Sequence, residues 1–118
     1  MENIHFTLIL ITCLFIIVDL VTGFVKAAVN HCIDSKKMKS GLWHKCGFIF
    51  AIIFAILCEY AIDFINVDYN IPFQDAVCVF IICTEVISTV ENLGKISPEL
   101  SNSKFMKLFD GFGDKKEL

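Results

Sequence analysis

Arginine is missing from this chain, and only two prolines occur in its 118 residues. A nucleic-acid binder needs a basic surface to neutralise phosphates, yet the only cations are ten lysines set against thirteen acids, for a net charge of -3. Nucleic acid is therefore excluded as a partner. With prolines only at 72 and 98, no proline falls within the first two apolar stretches. The six cysteines contain no Cys-x-x-Cys pair. Cys13, Cys58, Cys78 and Cys83 sit in apolar sequence, where free cysteine packs as a small hydrophobe, and Cys32 and Cys46 fall in a lysine-rich stretch assigned to the reducing cytoplasm. A disulfide framework is not expected.

What remains is apolar: 56% of residues are hydrophobic and the mean hydropathy is +0.69. Three stretches hold most of that character. Ile4–Val25 is broken only by Asp19, Gly47–Ile65 by Glu59 and Asp63, and Ala76–Leu93 by Glu85 and Glu91. About 20 helical residues cross a hydrocarbon core of roughly 30 Å, so each stretch is long enough to span. Too little polar chain is left to cover three such helices in a soluble domain. The reading is an all-α membrane protein with transmembrane spans at about 4–26, 46–65 and 73–93, which make a domain over 1–93, and a cytoplasmic tail over 94–118. The first stretch reads as a retained span rather than a signal peptide, because Met1-Glu2-Asn3 carries no positive charge and the apolar run exceeds a usual signal core.

Lysines set the expected orientation. The loop 30–46 holds Lys36, Lys37, Lys39 and Lys45, and the tail holds Lys95, Lys104, Lys107, Lys115 and Lys116. The N-terminal segment and the loop 66–74 hold none. Positive loops stay in the cytoplasm, which places the N-terminus outside and the C-terminus inside. Trp43 and Tyr69 fall where interfacial aromatic residues are expected. In the tail, Ser97-Pro98-Glu99 is a helix start, followed by Phe105, Leu108, Phe109 and Phe112 at helical spacing with Lys104 and Lys107 beside them. Two readings stand for this segment: a short amphipathic helix on the inner membrane surface, or a frayed tail with scattered aromatics.

A carboxylate in mid-bilayer costs roughly 2.5–3.5 kcal/mol on insertion scales, so such groups face a partner or water and mark the working surface. Helical periodicity sorts them into stripes. In the first span Thr12, Asp19, Thr22, Gly23 and Lys26 share a face, and Gly23 with Ala27 permits close helix approach. In the second, Gly47, Ala51 and Ala55 repeat every four residues and run on into Glu59 and Asp63. In the third, Thr84, Glu85, Ser88, Glu91, Asn92 and Lys95 form a polar face opposite Val79, Ile82, Val86 and Val90. One reading has these groups glue a single three-helix bundle, with Asp19 or Glu85 paired to Lys26 or to hydroxyls. The other counts five acids in the spans against one lysine, Lys26, and expects copies to assemble around a wet interior.

No Ser-His-Asp or Cys-His spacing suggests catalysis, so an enzyme is not expected. His31-Cys32 and His44-x-Cys46 lack the tight paired spacing of zinc sites, and a single histidine in a span, His5, does not support a bis-histidine haem. No cofactor is expected.

With these residues placed, the chain resembles the toxin-secretion/phage-lysis holin family, in particular its small three-span proteins. Val18-Asp19-Leu20-Val21-Thr22-Gly23 with Lys26 and Ala27 carries the resemblance in the first span. Ser40-Gly41 and Lys45 precede the long second helix, and Glu85-Val86-Ile87-Ser88 and Glu91-Asn92-Leu93-Gly94 mark the third, followed by Pro98 and a lysine-bearing tail. Glu59 and Asp63 make the second span more acidic than the family pattern, and Asp110, Asp114 and Glu117 dilute the basic tail. The resemblance implies a homo-oligomer in the bacterial cytoplasmic membrane that opens lesions and releases an endolysin or a protein toxin as cargo. Its expected pore or subunit contacts are Glu85, Ser88, Glu91 and Asn92, supported by Asp19, Thr22, Lys26, Glu59 and Asp63. Close packing is expected at Gly23, Ala27, Gly47, Ala51 and Ala55. The rivals are a proton-coupled small transporter subunit and a non-pore accessory or anchor protein.

Overall fold

A computed structural model describes residues 4–66, 68 and 71–101. Three long helices, α1 (Phe6–Val29), α2 (Ser35–Ile65) and α3 (Phe73–Ile96), are followed by one turn of helix, α4 (Pro98–Ser101). All three long helices are apolar and long enough to cross a membrane. The predicted tail helix through Lys104, Phe105, Lys107, Leu108, Phe109 and Phe112 lies outside the described residues.

The helix ends follow from local chemistry. The Asn30 side chain donates to the Lys26 carbonyl at 3.0 Å, and His31 takes a left-handed backbone with φ 54°, which turns the chain out of α1. Asp34 then caps α2, its carboxylate accepting the Lys36 N–H at 2.9 Å. Asn66, also left-handed at φ 61°, closes α2. Pro72 sits at the N-cap of α3, where a missing N–H costs nothing.

The second helix begins at Ser35, well before the expected membrane span at about 46–65. Hydropathy locates where apolar sequence starts, whereas the helix is set by the Asp34 cap and by lysine, methionine and leucine, all good helix formers. At 1.5 Å per residue its 31 residues measure about 46 Å, well beyond the roughly 30 Å of hydrocarbon. The loop of 30–46 shrinks to residues 30–34, and Lys45 moves from loop to helix interior.

α1 and α3 run parallel and form the closest pair, whereas α2 runs antiparallel, leans on α3 and touches α1 least. The α1–α3 register is constant: His5 meets Gln74 and Asp75 at one end, and Thr22 meets Asn92 toward the other. Gly23 faces α3 there, and an added Cβ would meet the Asn92 amide nitrogen at an ordinary contact distance of 3.6 Å. The apolar core is small, with Ile16, Ile52 and Ile81 buried and Ile9, Phe48, Ile56 and Val77 packed around them. Large side chains such as Leu14, Phe24, Phe50, Phe54, Leu57 and Phe80 point outward. That inside-out distribution suits a lipid solvent, and the chain is a multi-pass membrane protein.

Candidate functional site

Six polar side chains from the three long helices meet inside the bundle. Asp19 of α1 and Glu85 of α3 are 6% and 1% exposed, and Lys45 of α2 reaches between them. The Lys45 ammonium donates to Glu85 Oε2 at 2.9 Å and Oε1 at 3.2 Å, and also to Asp19 Oδ2. Asn92 of α3 donates through Nδ2 to Asp19 Oδ1 at 3.0 Å and lies 3.1 Å from Thr22 Oγ1. Thr22 in turn donates to the Val18 carbonyl at 2.9 Å. Ser88, half-buried, also stands against the Asp19 carboxylate.

The cluster ties all three helices together through one cation. Counted as ionised, its two carboxylates and one ammonium carry a formal charge of -1. Removing one member of a buried ion pair leaves an uncompensated charge, which costs several kcal/mol, whereas replacing the whole set with apolar groups is often neutral. The triad is therefore weak glue, yet it is sensitive to the loss of Lys45, which contacts both carboxylates.

A second polar group closes the end of the bundle near the start of α1. Glu59 of α2 accepts the Gln74 N–H at 3.0 Å, and Gln74 Oε1 accepts the His5 N–H at 3.0 Å. His5 Nδ1 lies 2.7 Å from Asp75 Oδ1, both side chains being partly exposed. Gln74 Nε2 and Thr89 Oγ1 are buried without a hydrogen-bond partner among the described residues.

The expected site residues divide accordingly. The structure brings Asp19, Thr22, Glu85, Ser88 and Asn92 together. Glu91 and Asp63 are exposed, and Glu59 sits in the separate end cluster. Lys26 is half-buried on α1, but the cation at Asp19 is Lys45. Of the small residues, Ala55 is buried and Gly23 faces Asn92, while Ala27 and Ala51 are half-buried and Gly47 is exposed with nothing within 4 Å of a Cβ. A four-residue repeat advances 400° and so drifts about 40° per step, which carries the Gly47–Ala51–Ala55–Glu59–Asp63 stripe from one side of α2 to another.

The count of five acids against one lysine is thus corrected. Within one subunit Lys45 serves Asp19 and Glu85, and a backbone N–H serves Glu59. Lys45 was missed because it was assigned to a loop. The available signal was spacing: Lys45, Ile52, Ala55 and Glu59 share the inward face once α2 is extended back to Ser35. Among the described residues no three metal-ligating side chains converge, and all six cysteines are unpaired.

Three apolar helices holding charges at their centre define a polytopic membrane protein whose polar chemistry lies between helices. The chain matches the Bacteriophage holin family over residues 3–110, and it belongs to that family. No curated protein and no solved structure matches it. Membership assigns a holin-like, pore-forming role in the membrane in place of an enzymatic one.

Proposed function

We propose that the chain is a holin that accumulates in the bacterial cytoplasmic membrane with its N-terminus outside and its C-terminus inside, assembles with copies of itself, and opens a lesion that releases a cell-wall-degrading endolysin or a protein toxin. The observation that carries the mechanism is the Lys45 bridge between Asp19 and Glu85. In a dispersed subunit the bridge pairs the deepest charges internally, so the subunit is tolerated in lipid. α2 is the helix least engaged with α1 and brings the only cation of the triad. When α2 swings away, Asp19, Glu85, Ser88 and Asn92 lose their lid. Pooling these faces from several subunits around water then satisfies them together. Glu91, already exposed on α3, widens the same polar face. Asp63 and Lys26 lie nearer the ends of their helices and flank it.

The discriminating experiment is controlled induction in a bacterium with and without a cytoplasmic muralytic enzyme, following optical density. A holin gives abrupt leakage and viability loss alone, and clearing of the culture only with the enzyme. Substrate-dependent proton flux without loss of viability would instead identify a transporter subunit, and no effect of either kind would identify an anchor.

A further inference from the structure

We propose that the first half of α2 carries a binding site for an anionic glycerophospholipid of the cytoplasmic leaflet. A groove of 880 Å³ runs along α2 and ends against Phe80 of α3. Lys36, Lys39 and Ser40 line one end, Trp43 and His44 follow, and Gly47 and Ala51 form the floor beside Phe80. These α2 residues recur every three or four positions, so one helix face changes along its length from cationic, through an aromatic interfacial residue, to small and apolar. A phospholipid has the same gradient: a phosphate, a polar ester level and an acyl chain.

The charge matches an anion. The chain as a whole is -3, yet this end of the groove presents two ammonium groups, and the nearby Asp34 carboxylate is engaged in capping the Lys36 N–H. The floor is open at chain width, because Gly47 has no side chain and nothing lies within 4 Å of where a Cβ would stand. Basic grooves between membrane helices at the cytoplasmic face select anionic headgroups, and tryptophan favours the interfacial level. The length of α2 beyond a bilayer span places Lys36 and Lys39 at headgroup height while Gly47 and Ala51 reach the acyl region. The proposal rests on the membrane orientation given above but not on pore formation. Lipid selectivity and lysis are therefore read by separate experiments.

Trp43 is the chain's only tryptophan and lines the groove, so the emission comes from one position beside the headgroup end. The full chain is reconstituted in phosphatidylcholine vesicles in which either phosphatidylglycerol or phosphatidylcholine carries dibrominated acyl chains, and Trp43 quenching is compared at equal mole fraction. The expected result is a preference of about three- to tenfold for phosphatidylglycerol. It falls to near unity in Lys36→Gln/Lys39→Gln and persists in Lys104→Gln/Lys107→Gln. Gly47→Leu, which plugs the floor without touching a charge, lowers quenching by both brominated lipids. Equal quenching by the two lipids, a preference that survives loss of Lys36 and Lys39, or quenching unchanged by Gly47→Leu overturns the proposal. Weak quenching by either lipid in the unaltered protein also overturns it and assigns the groove to a second copy of the chain.

Discussion

Replacing Lys45 with methionine tests the proposed switch most directly. Methionine keeps the length and apolar stem of lysine but removes the charge that contacts both Asp19 and Glu85. Breaking a buried pair by removing one partner costs roughly 3–5 kcal/mol, and here two carboxylates lose their cation at once. At about 1.4 kcal/mol per factor of ten, the closed subunit is disfavoured by about two to three and a half orders of magnitude relative to an opened one. The expected phenotype is premature lysis: in cells that also make the cytoplasmic muralytic enzyme, and at equal membrane accumulation confirmed by immunoblot, Lys45→Met cultures clear earlier than those making the unaltered chain. The companion is the triple variant Asp19→Asn/Lys45→Met/Glu85→Gln, which removes every charge of the triad. With no charge left uncompensated, the triple variant avoids the penalty of the single one and lyses later than Lys45→Met. Identical lysis times for all three chains at equal abundance refute the switch. So does a triple variant as early as Lys45→Met, because the effect would then not come from charge.

Other outcomes follow from the same geometry. Asn92→Leu removes the donor to Asp19 Oδ1 and should destabilise the α1–α3 pair by about 1–3 kcal/mol, read as a lower thermal midpoint in detergent, whereas Asn92→Gln should retain part of it. Gly23→Leu adds a branched side chain beyond a Cβ that already stands at contact distance, 3.6 Å, from Asn92, and overpacking of about 1–3 kcal/mol should appear in the same measurement. Gly47→Ala meets open space and should leave that midpoint unchanged or slightly raised. For orientation, Cys32 is exposed between α1 and α2. With the other cysteines replaced by serine or alanine, a membrane-impermeant thiol reagent should label Cys32 in inverted vesicles and leave intact spheroplasts unlabelled; the reverse pattern would invert the proposed topology.

The three spans were legible because each is a long apolar run broken by no more than two acids, and α3 starts at Phe73, directly after Pro72. The polar faces of α1 and α3 were legible too: Asp19, Thr22, Glu85, Ser88 and Asn92 all converge, since a helical period of 3.6 fixes which side chains share a side. Two things were hidden. The start of α2 depends on the Asp34 cap, a local hydrogen bond that hydropathy does not register. The partner of Asp19 depends on tertiary register, because Lys45 becomes the counter-ion only when α2 lies antiparallel to α3 with Lys45 level with Glu85. Lys26, about two turns from Asp19 on the same helix, shares its side of α1, yet the cation that reaches the carboxylate is Lys45 of α2.

The internal bridge also changes what must drive assembly. Had the deep acids lacked partners in one subunit, association would relieve an existing penalty and copies would gather from the first molecules made. With Asp19 and Glu85 already served by Lys45, an opened subunit gives up its bridge before it gains any neighbour. A tenfold rise in membrane concentration changes the free energy of adding one subunit by about 1.4 kcal/mol, less than the roughly 3–5 kcal/mol cost of the broken pair. Accumulation alone therefore does little for small assemblies. Only a large assembly, in which each subunit contributes contacts on both sides and shares one body of water, recovers that cost, and its formation depends on a high power of concentration. The proposed function accordingly predicts a long silent phase and then an abrupt onset, with Lys45→Met both advancing the onset and broadening it. A culture in which leakage rises in proportion to protein abundance from the start of induction would contradict this coupling between the bridge and assembly.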